Sequence, residues 1–163
     1  MMTKSAVLHM LCGKIAAGKS TLTTQLGRQP ETIVVSEDQW LSALYADDMV
    51  SVADYVRCSA RLRQAMAPHL IALLQAGVSV VLDFPANTVV ARNWMRDIFE
   101  QAGAAHCLHH LDVPDDVCKA RLRARNALGE HAFAASDAEF NLISSHFVAP
   151  APEEGFTVQI HGA

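Results

Sequence analysis

The chain has 163 residues, enough for one domain with a full core and no need of disulfides or structural metals. Apolar residues make up 51 % of it and its formal charge is −4, which excludes a disordered segment and a generally basic nucleic-acid surface. No apolar run reaches the roughly 18 residues that cross a bilayer. Met1–Ser5 carries no signal-like apolar stretch, and the four cysteines have no metal-ligand spacing, so the expectation is a reduced, cytoplasmic protein without a membrane partner.

Ala6 to Cys12 is short, apolar and stopped by Gly13, which predicts a first buried strand. A helix is predicted over Thr21–Arg28 and is broken by Pro30. Thr32–Ser36 is β-branched and reads as a second strand. Helices follow over Asp38–Tyr45 and Asp54–Gln75, the latter stopped by Gly77. Val78–Phe84 reads as a strand buried on both faces. Thr88–Ala102 is helical, Ala104–Asp112 is a fourth strand, and Pro114 opens a helix to about Asn126. Ala127–Ala135 reads as a connection. Ser136 and Glu139 form a capping box for a helix to about Phe147, and Thr157–His161 is a last strand. This alternation predicts a single α/β domain, with a five-stranded, mostly parallel sheet and helices on both faces. Ligands of such sheets bind at the carboxyl ends of strands, so the loops after Cys12, Ser36 and Phe84 are the places to look for chemistry.

The first of these loops, Gly13-Lys14-Ile15-Ala16-Ala17-Gly18-Lys19-Ser20, fits G-x-x-x-x-G-K-[ST] at every fixed position, between a strand and a helix. Its glycines let backbone N–H groups wrap a phosphate, and the following helix adds the positive end of its dipole. The expected nucleotide site is Gly13–Ser20 together with Thr21. Lys19 is expected to reach the β- and γ-phosphates, and the Ser20 hydroxyl to ligate Mg²⁺. Asp83 ends an apolar strand, where such proteins keep an aspartate associated with Mg²⁺; the alternative is a loop cap. The expected nucleotide is ATP, because the N-K-x-D string of guanine recognition is absent.

Phosphoryl transfer needs an oriented hydroxyl acceptor, a base and cations around the moving group. Ser36-Glu37-Asp38 ends strand two. Asp38 is the first choice of general base and Glu37 the second, with helix capping the competing role for Asp38. Arg121 and Arg125 lie four apart on one helix face, ahead of a segment near 121–135 that reads as a small lid; they are the expected cationic partners of the transferring group. Asn87 and Arg92 fall after strand three, on the expected acceptor side. Trp40 and Tyr45 are read as core residues, with stacking on an acceptor the alternative. His106 and His110 share a strand face, but no second ligand cluster accompanies them.

Together, the GKIAAGKST loop, the SED after strand two, VVLDF-PANT and RLRARN resemble the P-loop kinases of the polynucleotide-kinase and zeta-toxin type, and more closely the AAA-domain-containing kinases of bacteria, from about Val7 to Ile160. The resemblance implies the P-loop NTPase fold, a kinase activity with Asp38 as base, and a loop beside the adenine at Pro150–Phe156. Polynucleotide kinases of this type carry an arginine three residues beyond the base; that position is Leu41 here, so a nucleic-acid acceptor is not expected. The leading expectation is a kinase transferring the γ-phosphate of ATP to a small-molecule hydroxyl. The alternatives are a nucleotide-binding switch with little transfer, and a toxin-like kinase acting on a nucleotide sugar or a macromolecule.

Overall fold

The computed structural model describes residues 5–129 and 135–162. Among these, five strands alternate with six α-helices. The strands are β1 (Val7–Cys12), β2 (Thr32–Ser36), β3 (Ser79–Pro85), β4 (Ala105–Leu111) and β5 (Val158–His161). They form one sheet in the order β2-β3-β1-β4-β5, and every neighbouring pair is parallel.

The helices are α1 (Lys19–Gly27), α2 (Glu37–Tyr45), α3 (Val52–Gln75), α4 (Val89–Ala102), α5 (Asp115–Leu128) and α6 (Asp137–Ser144). Alternation along the strands separates two cores. Leu8, Met10 and Cys12 of β1 join Val80, Leu82 and Phe84 of β3 against α3 and α4. Leu11 and Val81 turn the other way, toward Leu26 of α1, Cys118 and Leu122 of α5 and Phe140 of α6. Both faces of the central strands are therefore covered, as parallel strands require.

The order fixes where a ligand can sit. From β1 the chain crosses to the far edge as β2 and returns to β3, then places β4 on the opposite side of β1. The carboxyl end of β1 is thus the switch point of the sheet, where open α/β folds form their crevice.

Local chemistry moved several boundaries. Helix α1 begins at Lys19, two residues earlier than predicted, because Gly18 takes a left-handed φ of 105° and serves as its N-cap. Helix α2 begins at Glu37, since Ser36 rather than Asp38 is the cap: its hydroxyl accepts from the Gln39 N–H at 3.4 Å. Helix α5 runs on to Leu128, where left-handed Gly129 ends it. The predicted capping box is present, with Ser136 and Glu139 bonded reciprocally, but α6 stops at Ser144, short of Phe147. Trp40, read as core, is 43 % exposed, whereas Tyr45 packs against the core. Residues 130–134 of the expected lid, with His131, lie outside the described residues.

Candidate functional site

The loop between β1 and α1 is shaped by its small residues. A side chain at Gly13 would bring a Cβ to 3.1 Å from that of Leu111 and 3.3 Å from that of Ala17, closer than ordinary packing. Gly18 and Ala16 hold positive φ values of 105° and 61°. The loop is tied from below, because the Gly13 N–H donates to Asn87 Oδ1 at 3.0 Å. The Ala86 N–H also donates to the Leu11 carbonyl at 3.2 Å, where the β1–β3 register shifts. Asn87 is therefore a brace for the phosphate loop, a role not foreseen for it.

A groove of about 700 Å³ opens beside this loop, within the usual range of ligand pockets. Ile15 to Leu22 form one wall, and Arg121 and Arg125 reach it from α5. The Arg121 guanidinium donates to the Ala17 carbonyl at 3.5 Å, and Arg125 Nε is buried with no partner among the described residues. Arg123 turns aside to pair with Asp137 of α6. Lys14 pairs with Asp115 at 2.8 Å, so its charge is already matched.

Lys19, Asp38 and Asp83 come together electrostatically. Burial lowers the Lys19 ammonium's pKa, against the opposing pull of Asp83, then Cys12 and Asp38. Burial raises the Asp83 carboxyl's; the Asp38 charge raises it further, Lys19 lowers it, and Glu37 again raises it. Asp83 sits opposite Ser36 in the β2–β3 register, so the end of β3 and the start of α2 are adjacent. The cap of α4 is Thr88, not Asp83. The Cys12 thiol is pushed up to about 11 chiefly by burial, which keeps it a packing group rather than a nucleophile.

The two acids of α2 have different surroundings. Glu37 is buried; it accepts from the hydroxyls of Tyr55 and of Ser59, the latter at 2.9 Å, and Arg63 lies 3.7 Å away. Asp38 is exposed. Leu41, where the resembled kinases carry arginine, is a core residue at 2 % exposure.

Two expectations are corrected. Arg92 does not face an acceptor. It is fully buried, grips both oxygens of Glu154 at 2.8 and 3.1 Å, and donates to the carbonyls of Ala86 and Val148. That clamp, with Arg96 bonded to the Glu154 carbonyl and stacked over Phe156, docks Pro150–Phe156 on α4. The late part of the chain that lines the groove is instead His161 and Gly162, at the end of β5. His161 is the outer member of a row across three strands: His9 Nδ1 meets His109 Nε2, and His109 Nδ1 meets His161 Nε2, each at 3.0 Å. The signal in the sequence was their shared parity along β1, β4 and β5, which only the sheet order makes visible. His106, on the other face, accepts from the Thr157 N–H and stacks on Phe99 at 3.9 Å. No three His, Cys, Asp or Glu side chains among the described residues are placed to hold a metal ion together.

Residues 8–150 match the model of a family described as an AAA domain. The chain belongs to that family. No curated protein matches it at a significant level. Among solved structures it is similar to a Chloroflexus aurantiacus protein described only provisionally as a kinase, at 20 % identity and a TM-score of 0.75, covering 99 % of this chain and 87 % of that one. It is similar to the Mycobacterium tuberculosis APS kinase CysC, solved with AMPPNP and APS, at 22 % identity and a TM-score of 0.56, covering 79 % and 78 %. It is also similar to a sugar kinase from Janibacter sp. HTCC2649, at 15 % identity and a TM-score of 0.60, covering 98 % and 85 %. The shared fold is that of the P-loop kinases. No helix among the described residues of this AAA domain is long and apolar enough to cross a membrane.

Proposed function

We propose that the chain is an ATP-dependent phosphotransferase that moves the γ-phosphoryl group to a hydroxyl of a small molecule. The observation that carries this reading is the gathering of Lys19, Asp38 and Asp83 at the carboxyl ends of β1, β2 and β3, beside a groove that Arg121 and Arg125 enter. The loop amides and the start of α1 receive the phosphates, and Lys19 supplies a fixed charge where the γ-phosphate lies. Asp38 takes the acceptor's proton as its oxygen bonds the γ-phosphorus; the bond from that phosphorus to the bridging oxygen breaks, and ADP departs. Arg121 and Arg125 offset the charge on the oxygens of the transferring group.

Ser20 and Asp83 would hold Mg²⁺, and they fit it. Both offer hard oxygen donors, and Asp83 stands among Asp38 and Glu37, a surplus of negative charge that a divalent cation relieves. When bound, the ion neutralises charge on the phosphate oxygens.

The test is acceptor-dependent release of ADP from Mg-ATP. In Asp38→Asn it is expected to fall by roughly 10²-fold, with ATP affinity retained. Undiminished activity in that variant would remove Asp38 from the reaction. Hydrolysis that no acceptor stimulates would instead make the chain a nucleotide switch.

A further inference from the structure

A second cavity, of about 310 Å³, lies on the other side of the phosphate loop. Lys19 and Ile15 line both this cavity and the nucleotide groove, so a phosphoryl group held at Lys19 faces each of them. The far wall comes from the β3–α4 loop, through Asn87 and Thr88, and from the end of α6 and the segment after it, through Ser144 and Phe147. That volume is at the small end of ligand pockets, which run from about 300 to 1,000 Å³.

The chemistry of the lining is specific in what it offers. Among the described residues it includes no carboxylate and no arginine. Of its two lysines, Lys14 is already paired with Asp115 and Lys19 serves the nucleotide. Asn87 spends its oxygen on the Gly13 N–H, so what it has left for a ligand is chiefly its two N–H donors. The Ser144 Oγ is buried with no partner among the described residues, and a buried hydroxyl without a partner is costly unless a ligand supplies one. Ile15, Pro85, Ile143 and Phe147 supply the apolar part of the lining, and Thr88 and His146 add polar groups at its edge.

From this we infer that the cavity is the acceptor site, and that the acceptor is a small uncharged alcohol, held by Asn87 and Ser144 with its apolar side against Phe147. Asp38, the base of the reading above, is not among the lining residues, so the reacting hydroxyl projects out of the cavity past Lys19, whose ammonium feels the Asp38 charge. The inference rests on the kinase reading above and narrows it. A phosphorylated or carboxylated acceptor would find no free lysine or arginine among these residues, and an amine no carboxylate in the lining.

The experiment is a panel of ADP-release measurements with Mg-ATP. The uncharged acceptors are glycerol, erythritol, xylitol and D-ribose; the comparators are glycerate, ethanolamine, adenosine and a 5′-hydroxyl oligonucleotide. At least one uncharged member should stimulate release by 10-fold or more. Ser144→Trp, which fills the cavity, should raise the KM of that acceptor at least 10-fold while leaving the thermal shift with Mg-ATP unchanged. If that variant does not fold, Ile143→Trp on the same wall, at a position 42 % exposed, tests the same point. Stimulation by the comparators alone, or an acceptor KM unmoved by the filling variants, overturns the acceptor site and leaves the kinase reading standing. Stimulation by no member of either set, in a protein that still binds Mg-ATP, overturns the kinase reading itself.

Discussion

Ser59 donates its hydroxyl to the Glu37 carboxylate at 2.9 Å, and this bond divides the labour between the two acids at the start of α2. Glu37, held also by Tyr55 and near Arg63, anchors α2 to α3. Asp38, one residue on, is left exposed and within reach of Lys19's charge. Removing the Glu37 charge should therefore act on stability. Glu37→Gln is expected to cost about 1–3 kcal/mol, read by urea unfolding, because a buried hydrogen-bonded charge loses its match to Arg63. Asp38→Asn should leave stability unchanged and reduce turnover. A Glu37→Gln protein of wild-type stability would contradict this division.

The Arg92–Glu154 pair is the deepest charge contact described, with Arg92 fully buried. Glu154→Leu leaves that guanidinium with only the Ala86 and Val148 carbonyls and no counter-charge, and should cost about 3–5 kcal/mol. Arg92→Leu with Glu154→Leu should cost less than the sum of the single changes, since no uncompensated charge remains. Additive losses in the double-mutant cycle would mean that the pair does not act as a unit.

The glycines of the phosphate loop make separable predictions. Gly13→Ala meets Leu111 at 3.1 Å and pushes on the brace from Asn87, so it should weaken Mg-ATP binding by roughly 10-fold. Gly18→Ala has room, its nearest neighbour being 3.6 Å away, but must adopt a φ of 105°, a conformation costing an L-residue about 1–3 kcal/mol. Calorimetric titration and thermal unfolding of the two variants distinguish the effects: affinity moves first in one, stability in the other.

The histidine row predicts a pH dependence. Burial, then the neighbouring His9 and His161, pulls His109 down to about 4; burial alone lowers His9, and burial with the Arg96 charge lowers His106 against the opposing pull of Glu100. A histidine whose folded pKa is lowered binds its proton first in the unfolded chain. Stability is therefore full above the unfolded value near 6.5 and falls as the pH drops toward 4. His109 alone contributes roughly 3 kcal/mol to that fall. Urea unfolding between pH 7 and pH 4.5 should show it, and His109→Gln should reduce the slope by about one proton. An unchanged slope in that variant would place the titration elsewhere.

The strands, the phosphate loop and the capping box at Ser136 were legible in the sequence because each depends on neighbours within a few residues. Asp38 and Asp83 were legible as strand-end acids, since a loop after a parallel strand points to the crevice wherever the strand lies. What stayed hidden depended on partners far along the chain. Arg92 looked like a residue on the acceptor side because its partner, Glu154, is 62 positions away. For the same reason Pro150–Phe156 was expected at the nucleotide, whereas Arg92 and Arg96 dock it on α4. Trp40 looked like core on hydrophobicity alone, yet Leu41 beside it takes the inward position on α2. The histidines of β1, β4 and β5 joined only once the sheet order brought those strands side by side.

Thermal unfolding with Mg-ATP, Mg-GTP and Mg²⁺ alone, on the wild type and on Lys19→Ala, tests the central claim most directly. Mg-ATP at about 100 times its dissociation constant should stabilise the wild type by about 2.7 kcal/mol, a rise of several degrees in Tm for a chain of this length. Mg-GTP should give a smaller rise, Mg²⁺ alone little, and Lys19→Ala should lose the response to ATP. A folded wild type whose Tm no nucleotide moves, or a Lys19→Ala variant that responds to ATP as the wild type does, would contradict the account.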